Sequence, residues 1–180
     1  MNQSPKKRKI NHTNLLIFTL LTIIIVIDYG SDKNSKQFTY CNFLKDSSCI
    51  NENTIFVTQE IKFVLASPHI IKDSHKVLDT ISKFLIKNSV IVSLEVGVHL
   101  GDKVDPKMSY VLSESRANEI VKYFVKNGVK KDRLIAKGYE FDNPLIPLSC
   151  DTLSKKQIFI ANNRVEFKIL EVINKKTINF

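Results

Sequence analysis

The sequence predicts an α/β domain, a sandwich in which helices pack on one face of a mixed β-sheet. Two patterns indicate this class. Apolar runs of strand length, rich in Val and Ile, alternate with segments whose apolar residues repeat at helical spacing. Each predicted helix also has a single apolar stripe, so it must lie against a sheet or another helix to bury that stripe.

Four segments are predicted as strands because they are short, apolar and rich in β-branched residues. They are residues 60–67 (EIKFVLAS), 90–99 (VIVSLEVGVH), 133–139 (RLIAKGY) and 163–170 (NRVEFKIL). With two helices between them, the predicted order is β-α-β-α-β followed by a final strand.

Residues 73–89 predict the first helix. Either Asp73 or Ser74 is expected to cap its start, since a short side-chain oxygen there accepts an otherwise unpaired backbone N–H. The apolar face of this helix consists of Val77, Leu78, Ile81, Phe84 and Leu85.

The second helix is predicted to start at Ser113, as its N-cap, and to stop at Gly128. Arg116 lies one turn into it, and on its own this arginine would be expected to form a surface ion pair with Glu114 or Glu119. Such pairs contribute little, about 0 to 1 kcal/mol. The apolar face of the helix consists of Leu112, Ala117, Ile120, Val121, Phe124 and Val125.

The N-terminal segment predicts a membrane anchor. A basic run at residues 6–9 precedes an uncharged apolar stretch, residues 15–27. This order is typical of a signal-anchor whose basic flank stays in the cytoplasm. Asp28 and Tyr29 fit the small-residue requirement of a cleavage site poorly, so retention is favoured while cleavage stays open. In either case the rest of the chain is expected in the periplasm.

The predicted division of the chain has four parts. Residues 1–30 form the basic flank and anchor, and residues 31–54, rich in Ser, Asn, Lys and Asp, form a linker. Residues 55–172 form the globular domain, and residues 173–180 form a tail. The protein is therefore expected in the cell envelope, attached to a membrane. Which membrane is left open, the outer membrane included.

Charge argues against a nucleic-acid partner. The net charge is +9, but residues 55–172 contain 18 Lys and Arg against 14 Asp and Glu, so about half of the excess lies outside the domain. The domain also lacks the Arg-rich stripe and interleaved aromatic residues of single-strand binders.

The three cysteines suit an oxidising compartment. Cys41 and Cys49 are eight residues apart in a polar stretch, and a local disulfide is predicted between them, which non-reducing mass spectrometry would detect. Cys150 is left over. No further Cys or His stands at metal-ligand spacing, so no metal is expected.

Catalysis is not predicted. The sequence shows no nucleophile elbow, no Gly-rich phosphate loop and no paired carboxylates. His99 is a lone histidine at a strand end, and this position is typical of a structural hydrogen-bonding role. Neither an enzymatic activity nor a cofactor is therefore expected.

An ordered set of motifs resembles the OmpA-like C-terminal, peptidoglycan-associating domain family. The motifs are LSESRANEIVKYFVKNGVKKDRLIAKGY at residues 112–139, then Pro144, then NNRVEFKIL at residues 162–170. The resemblance covers about residues 55–172. It implies a βαβαββ sandwich and a noncovalently bound ligand, the diaminopimelate-bearing stem peptide of peptidoglycan.

The resemblance also implies the ligand-binding residues. Arg116 stands where the family's arginine pairs with a carboxylate of diaminopimelate. The family's acidic loop position is occupied by Gly101, and Asp102 follows one residue later as the expected partner of the ligand's ammonium group. The remaining binding positions implied by the resemblance are His99, Ser109 and Arg164.

The function expected from the sequence is binding of peptidoglycan, so that a membrane is tethered to the cell wall. The alternative is a degenerate domain of the same fold that acts as a protein-interaction scaffold in an envelope or stator-like complex. A loop aspartate that still binds the ligand, with Asp102 as the candidate, would favour the first function. Envelope protein partners would favour the second.

Overall fold

The computed structural model describes residues 25–29, 36–40, 50–101 and 106–173. Its strands are β1 (Ile25–Tyr29), β2 (Lys36–Tyr40), β3 (Thr54–Thr58), β4 (Ile91–His99), β5 (Leu134–Glu140) and β6 (Arg164–Val172). Its α-helices are α1 (His75–Lys87), α2 (Pro106–Lys126) and α3 (Lys155–Asn162). No helix within those residue ranges is both long and apolar enough to cross a membrane.

The strands form one mixed sheet in the order β2-β1-β3-β6-β4-β5. β6 lies between β3 and β4 and is antiparallel to both. β4 and β5 are parallel, and α2 makes the crossover between them. β6, the last of the described strands, is therefore internal to the sheet, and it places Arg164 directly opposite His99.

The main core lies between the sheet and the pair formed by α1 and α2. Apolar side chains of β4 and β6 alternate towards these helices, as period-two burial requires. The prediction of an α/β fold with a mixed sheet is confirmed. The largest fully buried members of the core are Phe56, Phe124, Leu78, Leu85, Ile91, Leu94, Ile120 and Ile169.

The opposite face of the sheet is partly covered by the segment between β5 and α3. Leu145 packs on Ile55 and Val57 of β3, forming a small second apolar cluster. The side-chain amide of Asn162 also bonds both ways with the backbone of Ile146, which fixes the segment to the end of α3. This cover is the reason that polar groups on that face can be buried.

The prediction for the first strand of the domain is wrong. The strand is Thr54–Thr58, where all five residues are buried, and not residues 60–67. Residues 60–67 lead into a tight turn held by an isolated bridge between Phe63 and Ile70. Pairing with β6 decides the outcome, because it is available to residues 55–58 and buries them fully.

The predicted cap of α1 is also wrong. Ser74 does occupy the N-cap position, but its hydroxyl makes no capping bond. Instead it accepts from the backbone N–H of Lys62 at 2.8 Å and donates to the carbonyl of the same residue at 3.3 Å. A contact with a residue distant in sequence has replaced the local one.

The second helix starts earlier than predicted. α2 begins at Pro106, so Ser113 lies inside the helix and is not its N-cap. Its hydroxyl donates to the carbonyl of Tyr110 and accepts from the N–H of Glu140. The predicted stop is confirmed, because Gly128 follows the helix with a φ of +96°.

Helix α3 was not predicted. Its sequence, KKQIFIAN, is eight residues long, too short for a clear helical period. A local signal was present, however: Ser154 and Gln157 form a reciprocal capping box at its start. α3 closes the end of the sheet, where Gln59 donates to the carbonyl of Ile160.

The N-terminal predictions are only partly within the described residues. Residues 1–24, most of the predicted anchor, lie outside them, as do residues 174–180 of the tail. β1 overlaps the end of the predicted anchor, and β2 lies within the predicted linker. β1 pairs with β3, so this part of the chain extends the sheet of the domain.

Candidate functional site

Arg116 faces a turn formed by residues 63–67. Its Nε donates to the carbonyl of Ser67 at 3.0 Å, and Nη2 donates more weakly to the carbonyl of Val64 at 3.4 Å. The guanidinium carbon lies 4.7 Å from the centre of the Phe63 ring, within the range of a cation–π contact. The guanidinium is therefore held along one edge by two carbonyl groups and on one face by the Phe63 ring.

Arg116 has no counterion among the residues that the structure describes. The residue is only 8% exposed, and burial lowers the pKa of its guanidinium. Within the described residues no carboxylate forms an ion pair with it, and its Nη1 group makes no hydrogen bond. Carbonyl groups and an aromatic ring do not neutralise a buried cation, so this site favours an anion.

The predicted surface pair for Arg116 is wrong. Glu114 turns away and accepts from the backbone N–H of Gly138 on β5 at 2.6 Å. Glu119 pairs with Lys122 at 2.7 Å. Both acidic neighbours of Arg116 on α2 are therefore engaged elsewhere, the first of them in holding the helix to the edge of the sheet.

Polar residues are buried along the first half of α2. Ser109 and Ser113 are 1% and 0% exposed, and they precede Arg116 on the same side of the helix. Gly138 makes this packing possible, because a Cβ there would lie 2.5 Å from Ser113 Oγ and from the backbone nitrogen of Glu114. The close approach of β5 to α2 therefore fixes the position of α2 relative to the sheet, and with it the position of Arg116.

His99 and Arg164 meet at a carboxylate that was not predicted. Arg164 Nε donates to Glu166 Oε1 at 2.7 Å, and its other nitrogens donate to the carbonyls of Asn162 and Asn143. His99 Nε2 lies 3.3 Å from Glu166 Oε2. Each of these three side chains is at least four-fifths buried, on the sheet face opposite α1 and α2.

The ring of His99 is tightly confined. Its Nδ1 donates to the carbonyl of Asp142 at 3.1 Å, and its plane stacks on Tyr139 with centroids 4.6 Å apart. Nε2 is buried and has no aligned hydrogen-bond partner despite its distance to Glu166. His99 is therefore a structural group at the end of β4, directly before the loop that carries Asp102.

Glu166 is the electrostatic centre of this cluster. Burial raises the pKa of its carboxyl, but His99 and Arg164 lower it more, and the resulting pKa is about 2. We assign the larger effect to Arg164, because its bond is short and aligned whereas the His99 contact is not. Glu166 is therefore ionised at neutral pH.

The structure brings the predicted site residues together in two groups. Ser109 and Arg116 share one side of α2, while His99 and Arg164 converge on Glu166 across the sheet. Asp102 lies outside the described residues. Sequence reasoning missed Glu166 and the turn at residues 63–67. The alternation of polar residues in β6 was a signal for Glu166, and Pro68 directly after Ser67 was a local signal for the turn.

Gly101 occupies a position where a side chain does not fit. A Cβ there would overlap the carbonyl oxygen of Phe159 and would lie 2.9 Å from Cβ of Asn163. Its φ is not positive, so the requirement comes from the backbone of α3 and not from conformation. An aspartate, which the resemblance implies at this position, would therefore not fit there.

The cysteines add little to the described site. Cys41 and Cys49 lie outside the described residues, so their disulfide stays a prediction. Cys150 is a half-buried free thiol whose sulfur lies 3.2 Å from Thr152 Oγ1. In the part of the chain that the structure describes, no three His, Cys, Asp or Glu side chains converge as a metal site would require.

Comparisons with known proteins agree with the geometry. A family model described as the OmpA family matches residues 43–157. No curated protein matches the sequence. One similar solved structure is the periplasmic domain of Helicobacter pylori MotB, with 24% identity and a TM-score of 0.57 over 71% of this chain and 82% of that chain.

Two further solved structures share the fold. An outer membrane protein from Borrelia burgdorferi is 27% identical, with a TM-score of 0.52 over 67% of this chain and 92% of that chain. The cell wall anchor of the T6SS from Pseudomonas aeruginosa is 19% identical, with a TM-score of 0.53 over 66% of this chain and 81% of that chain.

Proposed function

Because the chain belongs to the OmpA family, we propose that it is a non-catalytic cell-envelope protein that binds peptidoglycan and so tethers a membrane to the cell wall. The ligand is the diaminopimelate-bearing stem peptide, held without covalent bonds. The likeness to an outer membrane protein from Borrelia burgdorferi supports a place in the envelope.

The observation that carries the proposal is the state of Arg116. Its guanidinium is buried and oriented, yet it pairs with no described carboxylate, and Nη1 remains available. A planar guanidinium suits a carboxylate ligand, since its N–H groups can bind both oxygens at once. The carbonyls of the 63–67 turn reduce the entropy lost on binding, because they already hold the arginine in one orientation.

The other predicted residues have supporting roles in this proposal. Asp102 binds the ammonium group of the zwitterionic ligand end, and Ser109 lies on the same side of α2 two turns before Arg116. His99 and Arg164 act indirectly: through Glu166 they fix the end of β4, and so the start of the loop that carries Asp102. Loss of Arg116 would leave the carboxylate of the ligand unpaired, and loss of Asp102 would leave its ammonium group unpaired.

Replacing Arg116 by alanine is expected to release the full-length protein from purified sacculi. Removing one member of a charge-assisted pair in a partly desolvated site costs about 2 to 5 kcal/mol, enough to abolish weak binding. Arg116→Lys should bind with intermediate strength, since lysine keeps the charge but not the planar fork. Cosedimentation with sacculi in detergent, at fixed salt, measures the effect.

The control for this experiment is Lys107→Ala, which removes an exposed cation from the same helix. Because Arg116 also holds the 63–67 turn, each variant needs a thermal melt to show that it is folded at the assay temperature. Equal binding by folded Arg116→Ala and wild type would contradict the assignment. Asp102→Ala should lose binding in the same way if Asp102 replaces the loop aspartate of the family.

We propose that the residues before β1, residues 1–24, attach the protein to a membrane and leave residues 55–172 in the periplasm, because β1 itself pairs with the sheet of the domain. The support is the basic run before an uncharged apolar segment. A periplasm-dependent reporter fused after Phe180 should be active, and the mature protein should retain its first residues. N-terminal sequencing that starts near residue 31 would contradict the anchor but not the export.

The second candidate function is a protein-interaction scaffold. It is favoured by apolar side chains at the surface of the first turns of α2, where Met108 and Val111 are 66% and 60% exposed. Leu65, in the turn that holds Arg116, is 93% exposed. Apolar exposure of this kind is typical of contact surfaces. If wild-type protein does not bind sacculi, the scaffold function is the one to pursue.

A further inference from the structure

A second cleft lies beside the turn that holds Arg116. It has a volume of about 280 Å³ and is formed where the first turn of α1 meets the second half of α2. The imidazoles of His69 and His75 and the ammonium groups of Lys122 and Lys126 line it. The lining is mixed, because Ile70 and Tyr123 also contribute to it, and its cationic and imidazole groups suit an anionic group of a ligand.

The charges that line the cleft are unbalanced. Among the described residues that line it, Glu119 is the one carboxylate, and it is already paired with Lys122 at 2.7 Å. Lys126 is exposed and forms no ion pair with any described residue. One ammonium group is therefore left to attract an anion, even with both imidazoles neutral.

The walls of the cleft are held by packing and hydrogen bonding. Tyr123 lines it and donates from its hydroxyl to Asp79 Oδ1 at 2.7 Å, which fixes the phenol against α1. The ring of His75 contacts the Tyr123 ring with centroids 5.1 Å apart. Neither histidine side chain makes a hydrogen bond within the described residues, so both can donate an N–H to a ligand.

The cleft is linked to Arg116 through the 63–67 turn and helix α2. Ser67 holds Arg116 from one end of a short turn, and His69 lines the cleft two residues later. Along α2, Lys122 and Lys126 follow Arg116 by six and ten residues. At a rise of 1.5 Å per residue, this separation is about 9 to 15 Å along the helix axis.

We propose that this cleft binds a second carboxylate of the same stem peptide whose diaminopimelate end is held by Arg116. The inference rests on the proposed function, because it takes the ligand from there. The α-carboxylate of the stem-peptide glutamate is the group that fits. It is separated from the far carboxylate of diaminopimelate by nearly four residue lengths of chain, or roughly 13 Å when extended.

The test compares the affinity of two ligands for wild type and for two variants, using the full-length protein in detergent. The ligands are the free tripeptide of alanine, D-glutamate and diaminopimelate, and the same tripeptide with the glutamate α-carboxylate amidated. Lys126→Gln removes the unpaired ammonium group of the cleft. Lys83→Gln, an exposed lysine of α1 that does not line the cleft, is the control. Isothermal titration calorimetry gives each Kd.

Lys126→Gln is expected to weaken binding of the acidic tripeptide by about two- to fivefold, the range of a solvent-exposed ion pair. It should leave binding of the amidated tripeptide unchanged, and Lys83→Gln should change neither. Equal effects of Lys126→Gln on the two ligands, or no effect on either, would overturn the inference while leaving the Arg116 site standing.

Failure of the proposed function gives a different result. Wild-type protein would then bind neither tripeptide, and titration with glutarate would test the cleft directly. Shifts of the His69 and His75 side-chain NMR signals in wild type, reduced in Lys126→Gln, would support a carboxylate site in the cleft. Signals that do not move with glutarate would overturn it.

Discussion

Replacing Gly101 by alanine is expected to destabilise the protein by about 3 kcal/mol, at the upper end of the cost of overpacking. The new methyl group would overlap the carbonyl oxygen of Phe159 and lie 2.8 Å from Cδ2 of the same residue. A flexible side chain could move away from this contact, but a helix carbonyl can move only if the whole of α3 shifts. Gly101→Asp should be at least as unfavourable.

Chemical denaturation of the full-length protein measures this change. The matched comparison is Gly128→Ala, where the φ of +96° makes any side chain strained but the nearest atom is 3.7 Å away. That substitution should cost about 1 kcal/mol, as backbone strain alone. If Gly101→Ala were within experimental error of wild type, the close packing of α3 on the loop would be wrong.

This result would bear on function as well as stability. Restoring an aspartate at the position that the resemblance assigns to it would not restore a binding residue, because no side chain fits beside Phe159. A loop carboxylate in this chain must therefore come from another position, and Asp102 is the next residue. Glycine at position 101 and the position of α3 depend on each other, because α3 leaves no room for a Cβ at this position.

The stability of the protein is expected to fall by about 3 kcal/mol through Glu166 alone between pH 4.5 and about 2. The pKa of this carboxyl falls from its ordinary value of 4.5 to about 2 in the folded protein, since His99 and Arg164 outweigh the opposing effect of burial. A lowered folded pKa contributes stability that is fully present above the unfolded pKa. That stability is lost as the pH drops towards the folded pKa.

The Glu166→Gln variant should lack this loss of stability at acidic pH. At pH 7 the variant is expected to be less stable than wild type by about 3 kcal/mol, because Arg164 is left buried without its carboxylate. As the pH falls below 4.5, the difference between the two proteins should shrink. Urea denaturation at several pH values measures it, and Glu171→Gln, an exposed glutamate on the same strand, is the control. Parallel acid profiles for wild type and Glu166→Gln would contradict the cluster.

Periodicity predicted much of the fold. The strand at residues 91–99 and the first helix were recognised because each has a strong local pattern, and Gly128 was recognised as a helix stop for the same reason. The first strand of the domain was predicted at residues 60–67 and not at residues 54–58, because the two segments are similarly apolar. Pairing with β6 on one side and with β1 on the other distinguishes the two segments.

The sequence by itself determined the class of fold, the family and the identity of Arg116 as the residue to test, because these depend on local patterns and ordered motifs. The tertiary structure alone decided what each polar residue contacts. Arg116 faces the carbonyls of Val64 and Ser67, about fifty residues away in sequence, and His99 meets Glu166 only because β6 inserts beside β4. Contacts between distant parts of a chain leave no periodic trace, so no local pattern could have predicted them.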